Sequence, residues 1–315
     1  MPVVGRLTVT LERRKLKYMS RLMFAAVISV AVARGAAAQN VPGRDLLQFP
    51  IGLLADAAPL SRELPGGLWN PAAAVLTGRD RWAFGVAALA TPIQQDVEAS
   101  VLGGAFVLRP HFTGSVSLAQ SSVGDILKTE TDPQSLGGEI PYSTTVISIG
   151  SAVALPYGSA GLAARYRFGS LDTDRGGSFS VDGGVVLDRV ARTPLRVAAS
   201  TFLFSPWGHG DATTYLLGID APLIPGDSVR SLRAGYSIQH TDQRGHEGYV
   251  FMSAHYGPLD GSAGLLDSDV FGQSTHRVRI GLGLRYHRYH VAVAREDGAA
   301  GVGASRQFLL TSVFP

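Results

Sequence analysis

Five arginines occupy alternate positions in segments whose intervening residues are apolar. They are Arg165, Arg167, Arg233, Arg279 and Arg285. Alternate residues of a β-strand point to opposite sides, so these guanidinium groups would lie on the polar face of a sheet. An unpaired guanidinium is costly in a narrow interior without water. The arginines therefore predict either a cationic strip that contacts a ligand or plug, or an internal ion-pair network, and we favour the network. Its acidic members would be Asp182, Glu296, Asp56 or Glu63.

Motifs of enzymatic chemistry are missing from the sequence, which contains no His-Glu-x-x-His, no Gly-x-Ser-x-Gly and no Walker-type loop. Its 315 residues include no cysteine, which excludes disulfide scaffolds, thiolate metal sites and cysteine nucleophiles. His287 and His290 flank a predicted two-residue turn and face different ways, so we interpret them as interfacial histidines, not a metal pair. We therefore predict a protein that is not an enzyme, with no catalytic residues, no metal and no cofactor.

Two aspartate pairs have the spacing of oxygen ligands for Ca²⁺. Asp172 and Asp174 fall in a predicted polar link at 170–177, and Asp267 and Asp269 fall in another at 257–275. Solvated charges of loops are a much more common reason for such pairs than a Ca²⁺ site is. We favour that interpretation.

An export signal accounts for the first 38 residues. A basic stretch precedes the short apolar run at 22–33, and Ala36-Ala37-Ala38 is a typical cleavage site. This segment holds seven of the 28 basic and one of the 25 acidic residues, so the mature chain has 21 and 24, a net charge of −3. The precursor pI of about 9.3 is therefore no indication of a nucleic-acid partner.

Period-two alternation begins near residue 79 and continues to the end of the chain. Residues 277–286 are typical, because Val, Ile, Leu and Tyr alternate there with Arg and Gly. Thirteen such segments can be counted, and a bacterial barrel has an even number of strands. We predict 14 strands, the missing one lying in 258–272, with 12 as the fallback.

The segment 39–78 differs from the rest of the mature chain. It carries Pro42, Pro50, Pro59, Pro65 and Pro71, too many for a strand that must donate backbone N–H groups. Its Asn-Pro-Ala sequence is typical of a helix start, with Asn70 as the N-cap and Pro71 at the first helical position, followed by Ala72. We predict an irregular segment with one or two short helices, distinct from the domain at 79–315.

A transmembrane barrel explains the strands better than a soluble sandwich does. The strands are about 9–12 residues long, close to the ~9–11 that cross a membrane at a tilt. Aromatic residues lie near strand ends, where an interfacial girdle belongs. The chain ends in an alternating strand that finishes at Phe314, before Pro315. We predict an all-β antiparallel transmembrane barrel, with Phe314 as a C-terminal assembly signal.

The order of these parts resembles the FadL-like outer-membrane transporter superfamily, and within it the PorV/PorQ-type barrels. The residues that carry the resemblance are Leu68-Trp69-Asn70-Pro71-Ala72, the run 178–185 and Leu282-Gly283-Leu284, within a span of 60–314. The resemblance implies a 14-stranded barrel whose N-terminal segment, 39–78, is a plug in the lumen. It also implies a bacterial outer-membrane location after export through the inner membrane.

Two activities follow from the resemblance. The first is passive uptake of small hydrophobic or amphipathic molecules through a FadL-type channel. The alternative is service as a PorV-like accessory barrel that binds exported proteins of a secretion system. The expected partners are outer-membrane lipid, the barrel-assembly machinery, and either a hydrophobic small molecule or exported proteins.

Overall fold

The computed structural model describes residues 41–92, 96–129, 136–190, 193–205, 211–224, 230–242, 245–270, 273–298 and 303–315. The predicted signal peptide at 1–38 lies outside these residues. The described chain forms a closed antiparallel β-barrel of fourteen strands, which confirms the predicted fold class. No helix among the described residues is long and apolar enough to cross a membrane.

The strands follow one another around the barrel in chain order, apart from one small hairpin. The hairpin consists of β4 (Leu127–Thr129) and β5 (Leu136–Glu139), and it leaves β3 to pair with β6. The barrel strands are β1 (Trp82–Ala90), β2 (Val97–Arg109), β3 (Phe112–Val123), β6 (Tyr142–Leu155), β7 (Gly158–Leu171), β8 (Asp174–Leu187), β9 (Arg196–Phe202), β10 (Thr214–Ile224), β11 (Arg230–Thr241), β12 (Gly245–Tyr256), β13 (Leu259–Val270), β14 (Gln273–Tyr286), β15 (Tyr289–Glu296) and β16 (Ser305–Phe314).

The barrel closes where the first strand meets the last. Trp82 pairs with Phe314, and the register continues to Ala90 opposite Arg306. Two-residue turns at 110–111, 156–157, 257–258 and 287–288 lie at the same end as Trp82 and Phe314, and we call this the short-turn end. The longest connections, at 124–141 and 203–213, lie at the opposite end, the long-loop end.

Two predicted polar links consist mostly of strand residues instead. The link at 170–177 is reduced to a two-residue turn, because β7 runs to Leu171 and β8 begins at Asp174. The link at 257–275 is β13 and the start of β14, so the missing strand is where we predicted it. These strand ends are polar on both faces. A ladder can continue there because water can solvate both faces beyond an apolar band, so polar residues do not end a strand.

Outward and inward faces alternate as the sequence predicts. In β7 the outward Leu162, Tyr166 and Phe168 are exposed, whereas the inward Arg165 and Arg167 are buried. The same inversion, with apolar groups outside and polar groups inside, holds around the barrel. Such a surface is stable in lipid and unfavourable in water.

The pairing between β8 and β9 is the shortest among the described strands. Only four residue pairs join them, from Gly184–Ser200 to Leu187–Val197, whereas the other barrel interfaces have seven to fourteen. Two contacts continue the interface beyond these pairs. The Val181 N–H donates to the Phe204 carbonyl at 2.8 Å, and the Gly183 N–H donates to the Thr201 hydroxyl at 3.1 Å.

Residues 41–78, which we call the luminal segment, contain two 3₁₀-helices, Arg44–Gln48 and Pro71–Ala74. Most apolar side chains of the luminal segment are buried against inward residues of the strands. Trp69, for example, packs on Phe202 with ring centroids 4.9 Å apart. The luminal segment and the inward face of the barrel therefore share two buried apolar clusters.

Candidate functional site

The luminal segment is held by side chains from widely separated strands. Ser159 of β7 donates to the Ala72 carbonyl at 2.8 Å, and Ser200 of β9 donates to the Trp69 carbonyl at 3.0 Å. Tyr249 of β12 donates to the Ala55 carbonyl at 2.7 Å. On β16 the Gln307 side chain accepts from the Gly52 N–H at 3.1 Å. The segment is therefore attached to strands on all sides of the barrel interior.

Arg165 and Arg167 join this segment to the wall. Arg165 is fully buried, forms an ion pair with Asp182 (Nε–Oδ2, 2.6 Å) and donates to the Leu68 carbonyl. Arg167 donates to the Pro42 carbonyl at 2.6 Å and to the Val41 carbonyl at 2.7 Å. Both arginines therefore bind backbone oxygens of the luminal segment. Each also forms an ion pair with its own carboxylate, Asp182 for Arg165 and Asp211 for Arg167.

Arg279 belongs to a second cluster on β12, β14 and β15. Its Nη2 lies 2.7 Å from Glu296 Oε2, and its guanidinium stacks over the Tyr249 ring at 5.0 Å. Arg277 bridges Glu296 and Glu247 beside it. This cluster belongs to the wall, and Tyr249 connects it to the luminal segment through its hydrogen bond to the Ala55 carbonyl.

Arg233 and Arg285 lie toward the short-turn end. Arg233 Nε donates to Asp220 Oδ1 at 2.9 Å, and Arg196 shares the same carboxylate. Arg285 contacts Asp260 on the wall (2.5 Å) and Glu63 on the luminal segment (3.2 Å). All five predicted arginines therefore face inward and have acidic partners among the described residues.

The Asn70-Pro71-Ala72 turn lies against the wall. Asn70 is 1% exposed, its Oδ1 accepts from the Ala72 N–H at 3.0 Å, and its Nδ2 donates to the Pro59 carbonyl at 2.7 Å. Gly184 of β8 makes room for it, because a Cβ atom there would lie 2.0 Å from the Asn70 Oδ1. The predicted cap is present, and it begins a 3₁₀-helix.

His290 is not an interfacial residue, contrary to our interpretation. It is 6% exposed and inward, its Nδ1 lies 2.8 Å from Glu63 Oε2, and its Nε2 lies 3.4 Å from Asp260 Oδ2. His287 lies in the two-residue turn at positive φ and is exposed. The predicted two-residue turn is present and pairs His290 with Arg285 across β14 and β15, and register partners share a face, so His290 lies inside the barrel with that arginine.

Other predicted site residues lie apart from this arrangement. Asp172 lies in the turn between β7 and β8, and Asp174 begins β8. Asp267 and Asp269 are exposed residues of β13, not of a loop, and Asp267 pairs with His276 at 3.2 Å. Phe314 ends β16 and packs edge-on against Phe84, with ring centroids 6.5 Å apart.

A cavity of about 270 Å³ separates the luminal segment from the wall at the short-turn end. Leu54, Leu60 and Asp56 line it from the luminal segment, and β11 to β15 line it from the wall. Burial and the nearby Glu63 carboxylate raise the pKa of Asp56 to about 7. The cavity thus contains a carboxyl group that can exchange a proton near neutral pH.

Several functional residues were not among our predictions. Three of them occupy inward positions of strands: Arg196, Arg277 and Asp220. The period-two pattern that predicts the inward face of Arg279 could have predicted theirs as well. Asp211, which binds Arg167 at 2.6 Å, follows a connection between two strands, and no pattern in the sequence points to it.

The fold is similar to solved structures of hydrocarbon channels. The structure described as the CymD monoaromatic hydrocarbon channel has a TM-score of 0.54 and 11% identity, over 89% of this chain and 99% of that chain. The P. putida toluene transporter TodX has a TM-score of 0.54 and 10% identity, over 83% and 99%. No protein-family model and no curated protein matches the sequence. The comparisons show that this chain shares the barrel fold of these two proteins, and they give no support for the PorV-type assignment.

Proposed function

We propose that this protein is an outer-membrane channel for passive uptake of small hydrophobic or amphipathic molecules, with the luminal segment as its plug. The observation that carries the proposal is a closed barrel with an apolar exterior whose interior is occupied by residues 41–78. CymD and TodX, which share the fold, are described as a monoaromatic hydrocarbon channel and a toluene transporter.

The plug and the wall are stabilised by different interactions. Backbone hydrogen bonds between neighbouring strands close the wall, with the luminal segment outside the ladder. The segment is bound by side chains such as Arg165, Arg167 and Tyr249. Because these contacts can break while the ladder stays intact, the plug can shift without unfolding the barrel.

In this proposal, a transported molecule leaves the barrel through the cavity at the short-turn end. Short turns of outer-membrane barrels face the periplasm, and longer loops face outward. In that orientation, Leu54 and Leu60 border the cavity from which a molecule leaves the barrel. A molecule that passes the plug reaches the periplasm there.

A reversible crosslink between plug and wall tests the proposal. A Cβ atom on Gly281 would lie 2.9 Å from the Ala55 Cβ, so Ala55→Cys with Gly281→Cys needs only a small shift to reach the 3.5–4.5 Å of a disulfide. The chain has no other cysteine. We expect oxidation to slow uptake of the apolar dye N-phenyl-1-naphthylamine and reduction to restore it.

The single-cysteine variants are the controls, and they should not respond to oxidation. Deletion of residues 39–68 should leave a heat-modifiable barrel with faster dye uptake. Dye uptake that is unchanged by both the crosslink and the deletion would contradict a gating plug. That result would favour an accessory barrel that binds exported proteins.

A further inference from the structure

The wall of the cavity at the short-turn end is made of small residues from five consecutive strands, β11 to β15. They are Ser231, Ser253, Ser262, Gly281, Gly283 and Ala292. Ser253, Ser262 and Gly281 are register partners across β12, β13 and β14, so they form one row at the same level. Leu54 and Leu60 line the cavity from the luminal segment, and space is left beside this row because Ser253, Ser262 and Gly281 have small side chains or none.

Three hydroxyl groups in this wall are available to a ligand. Among the described residues, Ser231, Ser253 and Ser262 have no hydrogen-bond partner for their side chains, and all three are partly accessible. By contrast, Ser159 of β7 and Ser200 of β9 donate to carbonyls of the luminal segment. The cavity therefore combines an apolar side, on the plug, with a side that carries unused hydroxyl groups.

Side chains of both signs of charge line the cavity. Three arginines (Arg62, Arg196, Arg285) and three acids (Asp56, Glu63, Asp260) line it. Arg62 is paired with Asp188 at 3.0 Å, and Arg285 is paired with Asp260 and Glu63. An anion would meet the carboxylates and a cation would meet the guanidinium groups, so neither sign of charge is favoured.

We infer that this cavity binds uncharged molecules with one small ring or short chain and one hydroxyl group, of which phenol is the simplest example. The volume of about 270 Å³ exceeds the ~150 Å³ of an engineered cavity that holds benzene. The inference rests on the proposed function, and it narrows the class of molecule that the channel favours.

Selectivity for the hydroxyl group follows from the serines. A phenol can lie with its ring on Leu54 and Leu60 and exchange hydrogen bonds with Ser253 or Ser262. A hydrocarbon of the same shape displaces water from these hydroxyls and leaves them unpaired, which is unfavourable. The difference of one net hydrogen bond corresponds to about a tenfold preference for phenol over toluene.

Competition binding tests the inference with the full-length protein in detergent. The probe is 4-fluorophenol observed by ¹⁹F NMR, and the competitors are phenol, toluene and benzylammonium, each corrected for partition into protein-free micelles. We expect phenol to displace the probe about tenfold more effectively than toluene, and benzylammonium to displace it least. Ser262→Leu, which fills the cavity, should abolish binding. Ala263→Leu, on the outward neighbour, should not.

Removing the hydroxyl groups of Ser253 and Ser262 distinguishes the contribution of hydrogen bonding to phenol binding from the contribution of cavity shape. In the double variant Ser253→Ala, Ser262→Ala, the preference for phenol over toluene should fall to about one. Equal displacement by phenol and toluene in the wild type, or probe binding that survives Ser262→Leu, would overturn the inference. Dye uptake in the same preparations keeps the two proposals apart. Uptake without phenol binding refutes the cavity assignment alone, and phenol binding without uptake refutes the channel alone.

Discussion

The Pro65 carbonyl oxygen of the luminal segment lies 1.8 Å from the point where Gly103 of β2 would carry a Cβ atom. The segment therefore touches the backbone of the wall, and no other residue type fits at Gly103 without movement. Gly104, the next residue, faces the other way, and a Cβ atom there would meet Phe84 at an ordinary 3.6 Å. The two glycines are adjacent in the sequence, and only the Cβ position of Gly103 is blocked by the luminal segment.

Gly103→Ala should displace the luminal segment, whereas Gly104→Ala should not. Overpacking of this kind costs about 1–3 kcal/mol. We expect Gly103→Ala to increase protease cleavage within residues 41–78 and to speed dye uptake, with the barrel still heat-modifiable. If Gly104→Ala has the same effect, the close approach at Pro65 is not what positions the segment.

Asn70→Ala should loosen the second 3₁₀-helix of the luminal segment. The change removes the acceptor for the Ala72 N–H and the donor to the Pro59 carbonyl, and loss of an N-cap costs about 0.5–2 kcal/mol. Hydrogen exchange of the Ala72 and Ala73 amides should accelerate. Asn70→Ser, which restores a capping oxygen, should recover part of the protection, and equal exchange in both variants would exclude a capping role.

Charge should be tolerated on one face of β12 and not on the other. Met252 points outward and Ser253 points into the cavity. Met252→Arg should lower the free energy of unfolding by about 2–4 kcal/mol if its position is near the membrane midplane. Ser253→Arg should cost much less because water reaches it. Urea titrations in lipid vesicles measure the free energy of unfolding of both variants. If Ser253→Arg costs more than Met252→Arg, then residue 253 faces the lipid and residue 252 faces the interior.

Stability should fall as pH rises through neutrality, and Asp56 should be one cause. Its pKa of about 7 in the folded protein exceeds the ordinary value of 3.8, so the folded state binds this proton more tightly than the unfolded state does. The stabilisation is complete below about pH 4 and is lost as pH rises through 7. Glu63, Asp220, Arg196 and Arg285 supply the surrounding charges.

Asp56→Asn isolates this contribution from that of nearby histidines. The wild type should lose on the order of 1–3 kcal/mol more than Asp56→Asn between pH 5 and pH 8. The measurement is the free energy of unfolding of both proteins at the two pH values. Parallel losses in the two proteins would show that other groups titrate.

Alternation in the sequence was sufficient to predict the barrel and the inward face of the arginines. Strand ends were less predictable, since beyond the apolar band both faces are polar and the period-two signal disappears, as at Asp174 and Asp269. The acidic partners were predictable only in part. Asp182 and Glu296 lie on strands at inward positions, whereas Asp211 lies outside any strand and 44 residues from Arg167.

The details of the luminal segment depend on contacts that no local pattern records. The sequence indicates a cap at Asn70, and it does not indicate that Gly184 must lack a side chain for the cap to fit. Such residues are positioned by register between strands, and register is a property of the assembled sheet.

Asp182 stabilises two things at once: the short junction between β8 and β9, and the attachment of the luminal segment to the wall. A closed ring of strands that opens thermally is expected to do so where the fewest backbone bonds must break, and among the described strands this junction has the fewest residue pairs, four. Asp182 spans it, because its carboxylate accepts from the Leu203 N–H at 3.0 Å and from the Phe204 N–H at 2.8 Å. The same carboxylate neutralises Arg165, which binds Leu68 of the luminal segment. Transient fraying of the wall and loosening of the luminal segment are therefore expected to occur together, as one cooperative fluctuation centred on a single side chain.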